Sequence, residues 1–141
     1  MAKATATEVY NVPIDKFYSV ITDYESYPEF VDGVSSVNVI ENNETEALVE
    51  YSLNIIKKFS YKLKLKHNKP FGISWTFEGG DLFKENTGGW ILKDLGENKT
   101  EVTYSLDVNM KGFIPKKIID MLTTKNLPSM MKAFHDRVNN L

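Results

Sequence analysis

The alternation of apolar and polar positions is sharpest in the middle of the chain. Phe59, Tyr61, Leu63 and Leu65 point one way and Ser60, Lys62, Lys64 and Lys66 the other. This is the pattern of a strand with one dry and one wet face. The same period of two runs through Ala47, Val49, Tyr51, Leu53 and Ile55. It resumes at Ile73, Trp75 and Phe77, then at Trp90 and Leu92, and ends at Val102, Tyr104, Leu106, Val108 and Met110. The run 36–41 supplies a further strand. Residues 3–12, with Thr5, Thr7, Val9, Tyr10 and Val12, read as the first. Polar turns are expected at Glu41-Asn42-Asn43-Glu44, near Lys57, at Asn68-Lys69-Pro70 and at Gly96-Glu97-Asn98-Lys99, and a loop between Gly79-Gly80 and Gly88-Gly89. Connections this short predict a meander of antiparallel hairpins.

Helical spacing appears at the two ends. Pro13 opens a segment in which Ile14, Phe17, Tyr18 and Ile21 share one face, with Asp15 where the N-terminal dipole favours negative charge. A second short helix or turn carries Tyr24, Tyr27, Phe30 and Val31, with Pro28 near its start, and closes at Gly33. From Pro115 the apolar stripe is Ile118, Met121 and Leu122, continued by Leu127, Met130, Met131, Phe134 and Val138. A proline inside a helix removes a hydrogen bond and clashes with the preceding turn, so Pro128 predicts a kink or break near Leu127. The order is one strand, two short helices, six strands and a long helix.

That order defines an α+β protein. A helix of about 26 residues spans roughly 39 Å and is about 10 Å wide. It covers a broad seven-stranded sheet only if the sheet curls around it. The glycine pairs are plausible bend points. Periodicity leaves open whether the enclosed space is filled by side chains or left as a cavity.

At 141 residues the chain fits one domain over residues 1–141. Its 8 Phe, 7 Tyr and 2 Trp make the core rich in large rings. A net charge of −2 gives no global pull toward nucleic acid or an anionic membrane, and no specific DNA binding is expected. The absence of cysteine excludes disulfides, thiolate catalysis and cysteine-ligated zinc. With only His67 and His135, and no carboxylate cluster beside them, no metal and no cofactor is expected. The N-terminal MAKATATEVYNV has no signal-type apolar run and no stretch of 18 apolar residues exists, so a cytoplasmic protein is expected.

Four stretches carry a family likeness. VPIDKFYSVITDYESYPEFVDGV (12–34) has a short helix, then Asp and Tyr-Pro-x-Phe. WTFEGGDLFKENTGGWIL (75–92) has a strand ending at glycine and a later glycine before Trp. TEVTYSLDVNM (100–110) is a strand, and MMKAFHDRVNNL (130–141) is a closing helix with Ala-Phe-x-x-Arg. Together they resemble the helix-grip superfamily of START lipid-transfer domains, Bet v 1 allergens and bacterial polyketide cyclases (also called SRPBCC). The likeness is strongest to its polyketide cyclase/dehydrase branch, which includes coenzyme Q-binding proteins and the ribosome-association toxin RatA. The resemblance implies a cavity between sheet and C-terminal helix that takes a quinone, isoprenoid or lipid. Pro128 and the front half KKIIDMLTTKN depart from the family's closing helix, and this bears on ligand identity.

On periodicity alone the rings of the sheet are core; the resemblance makes them a lined cavity. The residues it places there are Phe30, Tyr51, Leu53, Phe59, Tyr61, Trp75, Phe77, Trp90, Leu92, Tyr104 and Leu106, with Met121, Leu122, Met130, Met131 and Phe134 from the helix. The methionines suit an adaptable lining as well as plain packing. Buried tyrosine hydroxyls need partners, which a ligand oxygen could supply. Lys58, Lys62, Lys64 and Lys66 form a basic stripe, read as a solvated strand face or as a contact for a membrane surface, a ribosome or another acidic partner. His67 is read as structural or solvated, with a general-base role as the alternative. His135 and Arg137 suit a helix C-terminus. No nucleophile motif, phosphate loop or paired carboxylates occur. Non-catalytic carriage of a hydrophobic small molecule is the leading reading. A cyclase or dehydratase using the same cavity, and a ribosome- or protein-interaction module, are the alternatives.

Overall fold

The computed structural model describes residues 2–55, 57–112, 114–122 and 127–141, leaving aside the side chains of Ala2, Ile55, Met121 and Leu122. Seven antiparallel strands form one sheet: β1 Ala2–Tyr10, β2 Val34–Asn42, β3 Glu46–Ile55, β4 Lys57–Asn68, β5 Gly72–Gly80, β6 Phe83–Gly96 and β7 Lys99–Met110. Their spatial order is β1-β7-β6-β5-β4-β3-β2, so β2 to β7 run as a meander and β1 joins beyond the last strand. Helix α1 (Ile14–Ile21) and a 3₁₀ helix (Tyr24–Glu29) follow β1. The helical tail is α2 (Lys116–Leu122) and α3 (Leu127–Asn139).

The meander, the first strand and the two short helices are as the sequence predicts. One detail differs. The expected loop between Gly79-Gly80 and Gly88-Gly89 is absent: β6 begins at Phe83, and both Gly88 and Gly89 lie inside it, paired with Trp75 and Ser74. These glycines permit close approach. A Cβ at Gly88 would sit 2.3 Å from the Ser105 carbonyl oxygen and 2.7 Å from the Trp75 ring. The C-terminal tail is described as α2 and α3. Pro128 is the second residue of α3, a first-turn position at which a missing N–H is tolerated. Residues 123–126 of the expected rod lie outside the described residues.

Helix α1 starts at Pro13, whose carbonyl accepts from the Lys16 and Phe17 amides. It buries Phe17, Tyr18, Val20 and Ile21, and packs on α3 and β6. Register shifts at Val34/Ser36, Val39/Glu41, Lys62/Leu63, Phe83/Glu85 and Asp94/Gly96 bend the sheet. The β6–β7 turn places Glu97 and Asn98 at φ 53° and 59°, the left-handed geometry of a two-residue hairpin. The concave face and α3 share the core: Val49, Leu65, Val102, Val108 and Met131 are each 1% exposed or less. Because the Gly88 site holds backbone oxygen and an indole on either side, Gly88→Ala is expected to lower unfolding free energy by about 1–3 kcal/mol. Urea denaturation with an unchanged slope is the check.

Candidate functional site: an aromatic cavity beneath the C-terminal helix

A cavity of about 430 Å³ lies between the concave sheet and α3. The sheet supplies Tyr51 and Leu53 from β3, Tyr61, Leu63 and Leu65 from β4, Ile73 and Trp75 from β5, Phe83, Asn86 and Trp90 from β6, and Tyr104 and Leu106 from β7. The other side is Tyr27 and Phe30 around the 3₁₀ helix, Val31, Asp32 and Val34 after it, and Leu127, Met130 and Phe134 from α3. Exposed Asp32, Ser129, Lys132 and Asp136 stand at the rim.

The expected site residues divide accordingly. Phe30, Tyr51, Leu53, Tyr61, Trp75, Trp90, Tyr104, Leu106, Met130 and Phe134 line the cavity. Phe59, Leu92 and Met131 are buried, at 5%, 2% and 0% exposure, but do not line it. Phe59 sits at the far end of β4 under the Lys57 ammonium, and Leu92 lies opposite Val102 beyond Trp90. Met131 is one helical step round from Met130, which turns it into solid core. Phe77 faces a neighbouring gap described below. The side chains of Met121 and Leu122 lie outside the described residues. Sequence reasoning passes over Leu63, Leu65 and Ile73, which share the parity of chosen neighbours. It also misses Phe83 and Asn86, because their segment reads as a loop between glycine pairs; period two counted back from Trp90 reaches Asn86. The rim charges carry no sequence signal.

The rings interlock. Phe134 meets Tyr27, Phe30 and Trp90 with centroids at 5.2, 5.0 and 4.9 Å, all steeply inclined. Trp90 also meets Phe17 at 5.7 Å and Tyr104 at 4.8 Å. Tyr51 stacks on Tyr61 at 5.3 Å, and Tyr61 abuts Phe83 at 4.9 Å. At the rim Arg137 pairs with Glu29 at 3.2 Å and lies over the Phe30 ring at 5.3 Å. The arginine expected to serve the helix dipole therefore also ties α3 to the 3₁₀ helix.

Several polar groups have partners in the protein. The Tyr27 hydroxyl donates to the Ile21 carbonyl. Trp75 Nε1 donates to Asn86 Oδ1 at 3.0 Å. His67 Nδ1 lies 3.0 Å from the Asn43 carbonyl, so this nitrogen holds the proton and Nε2 accepts from the Tyr24 hydroxyl at 2.8 Å. Fixed on both sides and off the cavity wall, His67 is a structural clamp, which removes it as a general base there. Tyr51, Tyr61 and Tyr104 differ. Their hydroxyls bond to no described residue, and none of the three oxygens is sealed away from the cavity space. Burial raises all three above the ordinary phenol value, and neighbouring phenols add to the effect at Tyr51 and Tyr104. The cavity thus presents three neutral hydrogen-bond donors on an apolar wall, with charge confined to its rim.

The basic stripe lies on the opposite, convex face. Lys62 and Lys66 stand across from Glu50 and Glu46, and Lys64 reaches Glu46 at 3.9 Å. Exposed pairs of this kind contribute little to stability, but they offset much of the positive charge. Among the described residues no group of three His, Asp or Glu could hold a metal, and no helix is long and apolar enough to cross a membrane.

With this geometry, comparison places the chain in a class. Residues 10–135 match the family described as polyketide cyclase / dehydrase and lipid transport, and the protein belongs to that family. The ribosome association toxin RatA of Pseudomonas aeruginosa is 29% identical over 132 residues, 92% of this chain and 90% of the toxin. A Thermus thermophilus protein of known structure superposes with TM-score 0.83 at 20% identity, covering 98% of this chain and 97% of that one. A START superfamily protein from Mycobacterium smegmatis gives TM-score 0.83 at 17% identity, covering 99% of both chains. The fold is thus the START-like, helix-grip fold.

The buried phenols set an alkaline limit. Their folded values stand above the ordinary phenol value of 10.0, so above pH 10 the unfolded chain loses protons that the folded chain retains. Stability that is full below pH 10 should fall as pH rises further, and Tyr51→Phe should make that fall shallower. Thermal melts between neutral and strongly alkaline pH test both statements.

Proposed function

We propose that this protein binds and carries a hydrophobic small molecule, a quinone, isoprenoid or lipid, whose oxygen accepts from the cavity tyrosines. The observation that carries the reading is the set of Tyr51, Tyr61 and Tyr104 hydroxyls, bonded to no described residue on the wall of an apolar cavity. Burying apolar ligand surface supplies roughly 25 cal/mol per Å² before the costs of association. The phenols fix orientation and select ligands that bear an acceptor. A cyclase or dehydratase reading uses the same cavity. It is weaker because the interior wall offers no group to take up a proton: the phenols are held neutral, and His67 is bound to Tyr24 and Asn43. A cytoplasmic carrier is the setting that fits this reading.

Native mass spectrometry of the purified protein, with organic extraction, should find a co-purifying apolar molecule or a 1:1 complex with added naphthoquinones or fatty acids. Met130→Trp, which fills the cavity from α3, should abolish the complex. The double change Tyr61→Phe and Tyr104→Phe should weaken an oxygen-bearing ligand about tenfold or more while preserving the fold. A persistently ligand-free mass with every class offered would sink the carrier reading.

The relationship to the ribosome association toxin supports a second reading, an interaction module acting through its surface. It predicts salt-sensitive co-sedimentation with ribosomes that is lost when Lys62, Lys64 and Lys66 are changed to Glu. Protein left in the supernatant at low salt counts against it, and the glutamates facing these lysines make that the expected result.

A further inference from the structure

The sheet is split over part of its width. Strands β5 and β6 pair from Gly72↔Ile91 to Trp75↔Gly88, and there their ladder ends. Both strands continue. Residues 76–80 of β5 stay paired to β4, and residues 83–87 of β6 stay paired to β7. A register shift on each outer side, at Lys62/Leu63 and at Phe83/Glu85, turns the two strands apart. The space between them is a second cavity of about 260 Å³, lined by Phe77, Lys84, Glu85, Asn86, Thr87 and Asp107.

Asn86 lines both this gap and the central cavity. The apolar wall runs through as well: Tyr61 abuts Phe83 at 4.9 Å, and Phe83 abuts Phe77 at 6.3 Å. The polar groups in the gap are unequal. Asp107 already holds Lys3 at 3.7 Å, and Glu85 accepts from Asn109 Nδ2 at 3.1 Å. Asn86 is 3% exposed, and its oxygen is taken by Trp75. Three donors have no described partner, the Asn86 amide NH₂, the Thr87 hydroxyl and the Lys84 ammonium, while Glu85 and Asp107 each have one carboxylate oxygen engaged by the protein.

We infer that the gap between β5 and β6 is a second opening of the cavity, and that it holds the oxygen-bearing end of an elongated amphiphile. This rests on the carrier reading and sharpens it. The apolar body lies against the rings beneath α3. The end with acceptor oxygens passes between Phe77 and Asn86 and meets the unpartnered donors. A ligand with two separated functions satisfies both ends of the site, whereas a compact ring system fills only the central cavity.

The chain has no cysteine, so a single Thr87→Cys can be labelled with N-phenylmaleimide after folding, blocking the gap from its exposed rim. Calorimetry would compare dodecanoate, dodecan-1-ol and naphthalene on labelled and unlabelled protein. The expected result is a loss of about tenfold or more for the two chain ligands, with naphthalene changed less than about twofold. Lys84→Met, at an exposed position, should weaken dodecanoate more than dodecan-1-ol. Chain ligands indifferent to the label, or naphthalene weakened equally, would overturn the assignment of the gap while leaving the carrier reading intact. Failure of all three to bind unlabelled protein would overturn the carrier reading and this one with it.

Discussion

One helix of 13 residues closes a seven-stranded sheet, and Phe134 is the side chain that makes the closure. A helix of that length is about 20 Å long, while a 14-residue strand such as β6 extends over roughly 46 Å. Flat packing cannot reconcile the two. The sheet bends, and Phe134 inserts between Tyr27, Phe30 and Trp90, so that α3, the 3₁₀ helix and β6 meet at one ring. The pair of Arg137 with Glu29 reinforces the same junction from outside. The cavity is the volume that this junction encloses and that the remaining side chains do not fill.

The same constraint sorts the polar groups. Near the junction and along the closed end, hydroxyls and ring nitrogens are spent on the protein: Tyr27 on Ile21, Tyr24 on His67, Thr100 on Val12. These bonds fix the elements around the cavity. Across the middle of the sheet the phenols of Tyr51, Tyr61 and Tyr104 bond to no described residue. Donors that face the cavity and bond to no described residue are suited to orienting a ligand that supplies an acceptor.

Curvature has a second consequence. Glycines at 88 and 89 allow β5, β6 and β7 to press together at the centre of the sheet, where a Cβ would strike backbone oxygen. Away from that pinch the bulges rotate β5 and β6 onto their outer partners, and the ladder between them ends. Bending a sheet around one helix thus opens it at one place, and the side chain of Trp75, in the last pair of the ladder, reaches Asn86 across the parting strands by a hydrogen bond.

Period two in the strands and the 3.6-residue spacing in α1 depend only on which side of each element meets water, and so they are legible in a single sequence. They suffice for the α+β meander and for the inward faces on which most of the cavity-lining residues lie, while the family resemblance is what marked those faces as a cavity wall. Three things are not legible. Burial parity cannot separate a ring that fills the core from one that borders a void, which is why Phe59, Leu92 and Met131 share the pattern of Tyr61, Trp90 and Met130 but lie off the cavity. Paired glycines look like a loop, although Gly88 and Gly89 lie mid-strand, because only the approach of β5 and β7 shows why no side chain fits there. The isolation of the three phenols and the parting of β5 from β6 depend on neighbours far apart in the chain. The sequence by itself determined the elements and their inward faces, since those follow from local contact with solvent. Tertiary structure alone decided where the void lies, which donors face it and where the sheet opens, since these follow from how a curved sheet and a short helix fit together.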